Sequence, residues 1–257
     1  MPESLPGDPS GLRALVQTPL RTPSALRCYQ AAPGRLEVDG DVVLLASAVP
    51  GPDYNFVTVL GPATPEHVFA RAEAFYGGEP YGVVVEVEQA GPLEAALRAA
   101  GWELDEEEPA LVLTPLPPGP PPPAELAIQR VATEAALDAF FAITGTSRHR
   151  VPSVAAALDP DVALFVGYVA GVPVATSRIT VHGPVGDING VVTREEYRRR
   201  GFGAAMTWAA ITYGRGRGCT AMTLTATAMG YPVYRRMGFV PVCAFRTYLP
   251  PAVDGQR

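Results

Sequence analysis

The sequence predicts a two-domain chain of mixed α and β structure, on three observations. Proline fills seven of the nine positions from 115 to 123; such a run favours the stiff polyproline II conformation and marks a break between folded units. On either side of it, short runs of β-branched and apolar residues alternate with alanine-rich segments of helical length. A glycine followed by an aromatic residue closes a helix and opens a strand in each half, at Gly101-Trp102 and at Gly238-Phe239, 137 residues apart. That echo hints at tandem copies of one fold. The expected division is 1–114, a proline-rich linker at 115–126, and 127–257, each half within the usual domain range.

In the first half, irregular proline-rich sequence is expected before strands at 41–49 and 55–61. Thr64 caps a helix with Pro65 at its first position, running through "HVFARAEAFYG". A buried strand (81–88), a helix stopped by Gly101 and a last strand (110–116) follow. In the second half a short strand (124–132) precedes a helix capped by Thr133 with Glu134 in its first turn. Strands at 162–171 and 172–183 meet at Ala170-Gly171 in a hairpin-like turn. Then come a strand from Asp187 to Thr193, an arginine-glycine stretch, a helix to about Tyr213, a strand (221–227), a short helix (231–238) and a closing strand.

Composition narrows the function. The net charge of −6 argues against a nucleic-acid binder. No run of about 20 apolar residues suggests a membrane span. The opening "MPESLPGDPSG" lacks the basic-then-apolar layout of a signal peptide, so a cytoplasmic protein is expected. Cys28, Cys219 and Cys243 are far apart and odd in number, which disfavours a disulfide framework or a metal site. Cys219 and Cys243 read as small buried hydrophobes. All 20 basic residues are arginine, so no lysine chemistry is available.

The stretch "YRRRGFGAAM" (197–206) sits between a strand and a helix. Amides at a helix start lack intrahelical acceptors, and the helix dipole favours an anion there. Glycine lets a ligand approach the backbone closely, and arginines add charge-assisted hydrogen bonds. The combination suits a pyrophosphate, although alone it also fits a glycine turn with a solvated arginine run. A Walker loop is excluded by the missing lysine. A dinucleotide fingerprint fails at Met206, where a third glycine belongs.

Arg198-Arg199-Arg200-Gly201-Phe202-Gly203 resembles the Arg/Gln-x-x-Gly-x-Gly/Ala motif of the GCN5-related N-acetyltransferases (GNAT). "LTATAMGYPVYRRMGF" (224–239) resembles the later strand, helix and Tyr-x-x-x-Gly-Phe ending of the same family. The resemblance covers most of 127–249 and implies an α+β / α/β chain of two GNAT-like domains, each a mixed, mostly antiparallel sheet flanked by helices. It implies acetyl-CoA as co-substrate, no metal, and a small-molecule amine acceptor attacked directly. It implies a bulged, splayed strand whose backbone at Val191, Val192 and Thr193 meets the pantetheine arm, phosphate-binding amides at Arg199, Arg200, Gly201, Phe202, Gly203 and Ala204, and Arg198 as a further cofactor-binding residue. Tyr234 becomes the general acid toward the departing thiolate. Where the family often has asparagine, seven residues before the tyrosine, this chain has Thr227, a weaker cofactor contact.

Asp187 is the first candidate for general base, followed by His182; Glu195 and Glu196 are expected to face solvent. Arg148, His149 and Arg150 follow the first helix of this half, where the family lines its acceptor pocket. The first half has only "GPAT" between strand and helix and Leu97 where its counterpart is Tyr234, so it reads as a copy that has lost cofactor binding. A non-catalytic acyl-CoA sensor is the alternative function, and no nucleic-acid or membrane partner is expected. Monomer and homodimer both remain open.

Overall fold

The computed structural model describes residues 9–22, 34–47, 51–52, 54–146 and 153–251. Two compact units emerge. One is built from described residues of 1–31 and 110–242, the other from those of 32–109 and 243–257.

In the first unit, helix α1 (Pro9–Arg21) is followed, after the chain returns from the second unit, by the end of strand β5 (Glu103–Leu113) and by β6 (Ala127–Arg130). Next come α4 (Glu134–Thr144), α5 (Val154–Ala157), β7 (Val162–Val169), β8 (Val172–His182), β9 (Val185–Thr193), α6 (Phe202–Gly216), β10 (Ala221–Thr225) and α7 (Tyr231–Arg236). The sheet order is β5-β10-β9-β8-β7-β6. Every recorded pairing is antiparallel except β9 with β10. Alternate residues of β7 divide between the faces. Ala163 and Phe165 join Phe202, Met206 and Ile211 of α6, while Val162, Leu164 and Val166 pack on Leu137, Phe140 and Phe141 of α4.

The local signals behave as the chemistry requires. The Thr133 hydroxyl accepts from the Ala136 amide at 3.2 Å, a cap worth about 1 kcal/mol. Ala170 and Gly171 both take positive φ, 48° and 81°, the two-residue turn that matches strand twist. One expectation fails at the N-terminus: α1 replaces the irregular opening. Its stripe of Leu12, Leu15, Val16 and Pro19 follows helical spacing, and Val16 and Pro19 are buried. α1 lies against β9 and β10, and Thr22 just beyond it meets His182 Nδ1 at 2.7 Å.

The proline segment belongs to the first unit and lies along α6. A side chain on Gly119 would strike the Trp208 ring, Arg215 donates to the Pro117 carbonyl at 3.4 Å, and Glu125 accepts from Arg200.

The second unit holds β1 (Arg35–Asp39), β2 (Val42–Ala46), β3 (Asn55–Val59), α2 (Pro65–Tyr76), β4 (Gly82–Glu86), α3 (Gly91–Ala99) and most of β11 (Val240–Leu249). Its sheet runs β1-β2-β3-β4-β11, with β3 and β4 parallel. β1, with three of its five residues exposed, carries little apolar signal and was missed in the sequence. Helices α2 and α3 cover a core of Val42, Leu44, Val57, Val83, Val85, Leu93 and Leu97. The Gly-aromatic echo is structural: the Trp102 amide donates to Leu97 O at 3.0 Å and the Phe239 amide to Tyr234 O at 3.1 Å. Gly101 and Gly238 both take positive φ, 80° and 98°.

Glu94 ties this unit together. It accepts from Arg246 at 2.9 and 3.1 Å and from Tyr248 Oη at 2.8 Å. Desolvation pushes its pKa up, but the bonds from Arg246 and Tyr248, with the charges of Arg246 and Arg98, outweigh it and hold the carboxyl below its ordinary value. A depressed folded pKa gives stability that is present above the unfolded pKa and is lost as pH falls through the folded one. Glu94→Gln is therefore expected to cost about 2 kcal/mol at neutral pH, a drop of several degrees in Tm. Melting curves should show the gap between variant and parent closing as the pH falls below the ordinary carboxyl range.

Candidate functional site

The first unit's sheet splits at one place. β9 and β10 pair in parallel only from Ala221↔Val185 to Thr223↔Asp187. Beyond Asp187, β9 continues beside β8 alone. Between Arg178↔Asn189 and Thr176↔Val192 the register shifts, because β9 carries two residues, Gly190 and Val191, where β8 has only Ser177. Gly190 takes φ 60°, which glycine accepts without the steric cost of a Cβ. Thr176 Oγ1 fixes the bulge by donating to Gly190 O at 2.9 Å. Val191, Val192 and Thr193 thus form half-buried strand backbone bordering the split.

The chain then passes through a short turn at Glu195–Tyr197 into α6. Arg199 and Gly201 take positive φ, 62° and 79°, which bends the backbone so that the helix starts beside β9. An added Cβ on Gly203 would lie 3.7 Å from Thr193 Oγ1, so helix start and strand end are neighbours. No side chain caps α6. Ala205 N bonds Gly201 O, whereas the amides of the first turn before it have no acceptor within the helix. An uncapped fifteen-residue helix beside a split strand pair is a fit for a diphosphate with an extended arm.

The three arginines divide. Arg198 Nε donates to Thr193 O at 3.3 Å. Arg200 lies over the Phe202 and Tyr197 rings and pairs with Glu125 at 2.6 Å. That pair is solvent-exposed and worth about 1 kcal/mol or less, so an anion can displace it. Arg199 makes no side-chain hydrogen bond or ion pair among the described residues. Glu195 and Glu196 are exposed, as expected.

Tyr234 is buried among the residues that pack on α6, edge-on to Phe239 at 5.8 Å between centroids. Its ring fills the space a side chain on Gly230 would need. Thr227 is exposed, and its hydroxyl accepts from the Gly230 amide at 3.2 Å, bracing the turn into α7.

Asp187 lies between Gly186 and Ile188, which face α6, so its carboxylate points to the opposite side. Oδ1 accepts from Thr223 at 3.2 Å and Oδ2 from Asn189 Nδ2 at 3.1 Å. Asn189 Oδ1 accepts in turn from Arg178 Nε. Sequence reading missed Arg178, Asn189 and Thr223; their signal was the polar alternation of "TSRITVH" on β8 and the Asp-x-Asn spacing on β9. His182 is buried at the end of β8 against Thr22. Arg148, His149 and Arg150 lie outside the described residues, as does Cys28. Cys219 and Cys243 are buried, and burial raises the Cys219 thiol to about 11.

The corresponding place in the second unit is closed. β3 and β4 stay paired from Phe56↔Gly82 to Val59↔Val85. The Thr64 hydroxyl caps α2 by accepting from the His67 amide at 3.3 Å, and Pro65 removes another donor. The Asp41 carboxyl packs over Gly61.

A split parallel pair followed by an open helix start gives the first unit, an α+β fold, a geometry that suits a nucleotide diphosphate. Residues 127–239, within the first unit, match the acetyltransferase (GNAT) family model and form a GNAT domain. The chain's fold resembles a GCN5-related N-acetyltransferase from Kribbella flavida, at 22% identity and TM-score 0.67, covering 90% of this chain and 96% of that one. A GCN5-related N-acetyltransferase-like protein from Streptococcus suis aligns at 15% identity and TM-score 0.60, over 93% and 99%. A tandem GNAT protein from the clavulanic acid biosynthesis pathway aligns at 14% and 0.54, over 98% and 91%. No match was found among curated protein sequences. Among the described residues no helix is long and apolar enough to cross a membrane, and no cluster of His, Cys, Asp or Glu could hold a metal ion.

Proposed function

We propose that the chain transfers an acetyl group from acetyl-CoA to the primary amine of a small acceptor by direct attack. The observation that carries this reading is the split between β9 and β10 beside the uncapped start of α6. When bound, acetyl-CoA supplies an activated acetyl thioester. The amides from Arg199 to Ala204 hold its diphosphate, with Arg198 and Arg200 adding charge. The backbone of Val191 to Thr193 pairs with the extended arm as an added strand would, and one of its amides steadies negative charge on the acetyl oxygen. Tyr234 gives a proton to the leaving thiolate. Asp187 takes a proton from the acceptor ammonium, directly or through water. Thr227, whose hydroxyl accepts from the Gly230 amide and braces the turn that carries Tyr234, still has its hydroxyl proton to donate to the cofactor.

The second unit lacks a split, an open helix start and a tyrosine at Leu97, so it binds no CoA in this reading. Calorimetry should find one CoA site per chain, and thiol release over a panel of amines should exceed the rate without amine. Saturable CoA binding with no turnover on any amine would favour an acyl-CoA sensor.

A further inference from the structure

We propose that the acceptor is a small amine that also carries a carboxylate, and that Arg178 is the residue that selects it. This rests on the acetyl-transfer reading and identifies the acceptor class of the same site. Ser177 and Ile179 face α6, the former through a 2.8 Å bond to Met206 O and the latter within the core beneath that helix. Arg178 between them faces the other side, with Asp187 and Asn189. That is the side of β9 from which an amine would reach a thioester lying in the split. The Arg178 side chain uses Nε alone, donating to Asn189 Oδ1, and its two terminal amino groups take no partner among the described residues. It is half-buried, so water compensates it incompletely. A planar fork with four free N–H donors matches a carboxylate with two parallel bonds.

The placement of charge points the same way. Arg178 and Asp187 carry opposite charges on one face yet form no ion pair, because Asn189 stands between them, accepting from one and donating to the other. Both Asp187 oxygens are oriented by single bonds, from Thr223 and Asn189, and retain lone pairs for an ammonium. A cation and an anion held apart by a neutral amide complement a molecule that bears an ammonium and a carboxylate. Beside them Phe140 Cζ stands 3.5 Å from where a Cβ on Gly190 would be, an apolar wall that limits acceptor bulk.

The test measures thiol release with α-, β- and γ-amino acids, each against its own carboxamide, together with calorimetric binding of the same compounds to CoA-loaded protein. The parent should prefer acid over amide by about 10- to 100-fold in kcat/KM, mainly through KM, as charged hydrogen bonds imply. Arg178→Gln should collapse that ratio, and Arg178→Lys should restore part of it; CoA binding by both variants reports that they are folded. Equal use of acids and amides by the parent, or an unchanged ratio in Arg178→Gln, overturns acid selection while leaving acetyl transfer intact. Acid binding lost in Arg178→Gln, with no turnover of any amine, overturns acetyl transfer and supports acid selection. Acids that neither bind nor react overturn it.

Discussion

Replacing Tyr234 with phenylalanine is expected to lower kcat by about 10²- to 10⁴-fold, the range for a placed proton donor, with CoA affinity nearly unchanged. The substitution removes one oxygen and keeps the ring that packs against Phe239 and Gly230, so the fold should survive. Its readout is thiol release at saturating acetyl-CoA, against a Kd measured on the same preparation. The loss should shrink with an acetyl donor whose leaving group has a lower pKa, because that leaving group needs less protonation. A variant as fast as the parent would leave the phenol a packing residue and remove the general acid from the mechanism.

Gly203→Asp is expected to change stability and affinity in opposite directions. The nearest atom to a Cβ at Gly203 is Thr193 Oγ1 at 3.7 Å, an ordinary contact, so a side chain fits. Replacing glycine with aspartate, itself a poor helix former, gains about 0.3 kcal/mol in propensity, and an acidic residue in the first turn adds about 0.3–1 kcal/mol through the dipole. Tm should therefore rise. The same carboxylate stands where the diphosphate is proposed to lie, and like charges about 4–6 Å apart repel by about 3–4 kcal/mol at an effective dielectric of 20. CoA should bind about 10²- to 10³-fold more weakly. A more stable protein that binds CoA normally would place the diphosphate elsewhere, a result that misfolding cannot imitate.

The parts legible in the sequence were those whose cause is local. Thr64 and Thr133 cap because a hydroxyl sits three residues before an amide needing an acceptor, and Gly201 precedes α6 because a left-handed residue is needed there. Three features escaped, in whole or in placement, because partners distant in the sequence decide them. The acidic run 103–108 was not read as strand, since glutamate and aspartate have poor β propensity, yet β5 begins at Glu103. The family resemblance implied a bulged strand but not its position: the Gly190 bulge is a mismatch between two strands, so neither strand alone locates it, and that mismatch decides how β9 is presented at the split. The bond from Arg178 to Asn189 likewise depends on register, which is why the general-base candidate was found without its network. α1 was a different miss: its apolar spacing was present, and three prolines among the first nine residues drew attention from it.

A second unit that binds no CoA, as proposed, is not thereby dispensable. Ala110–Leu113, contributed from before the proline segment, pair with β10, and Phe245–Tyr248, from the far end of the chain, pair with β4. Each sheet is thus finished by a strand from the far side of the proline segment. Dividing the gene at the proline run would leave each fragment with an unpaired strand edge, so neither is expected to fold as its unit does in the whole chain.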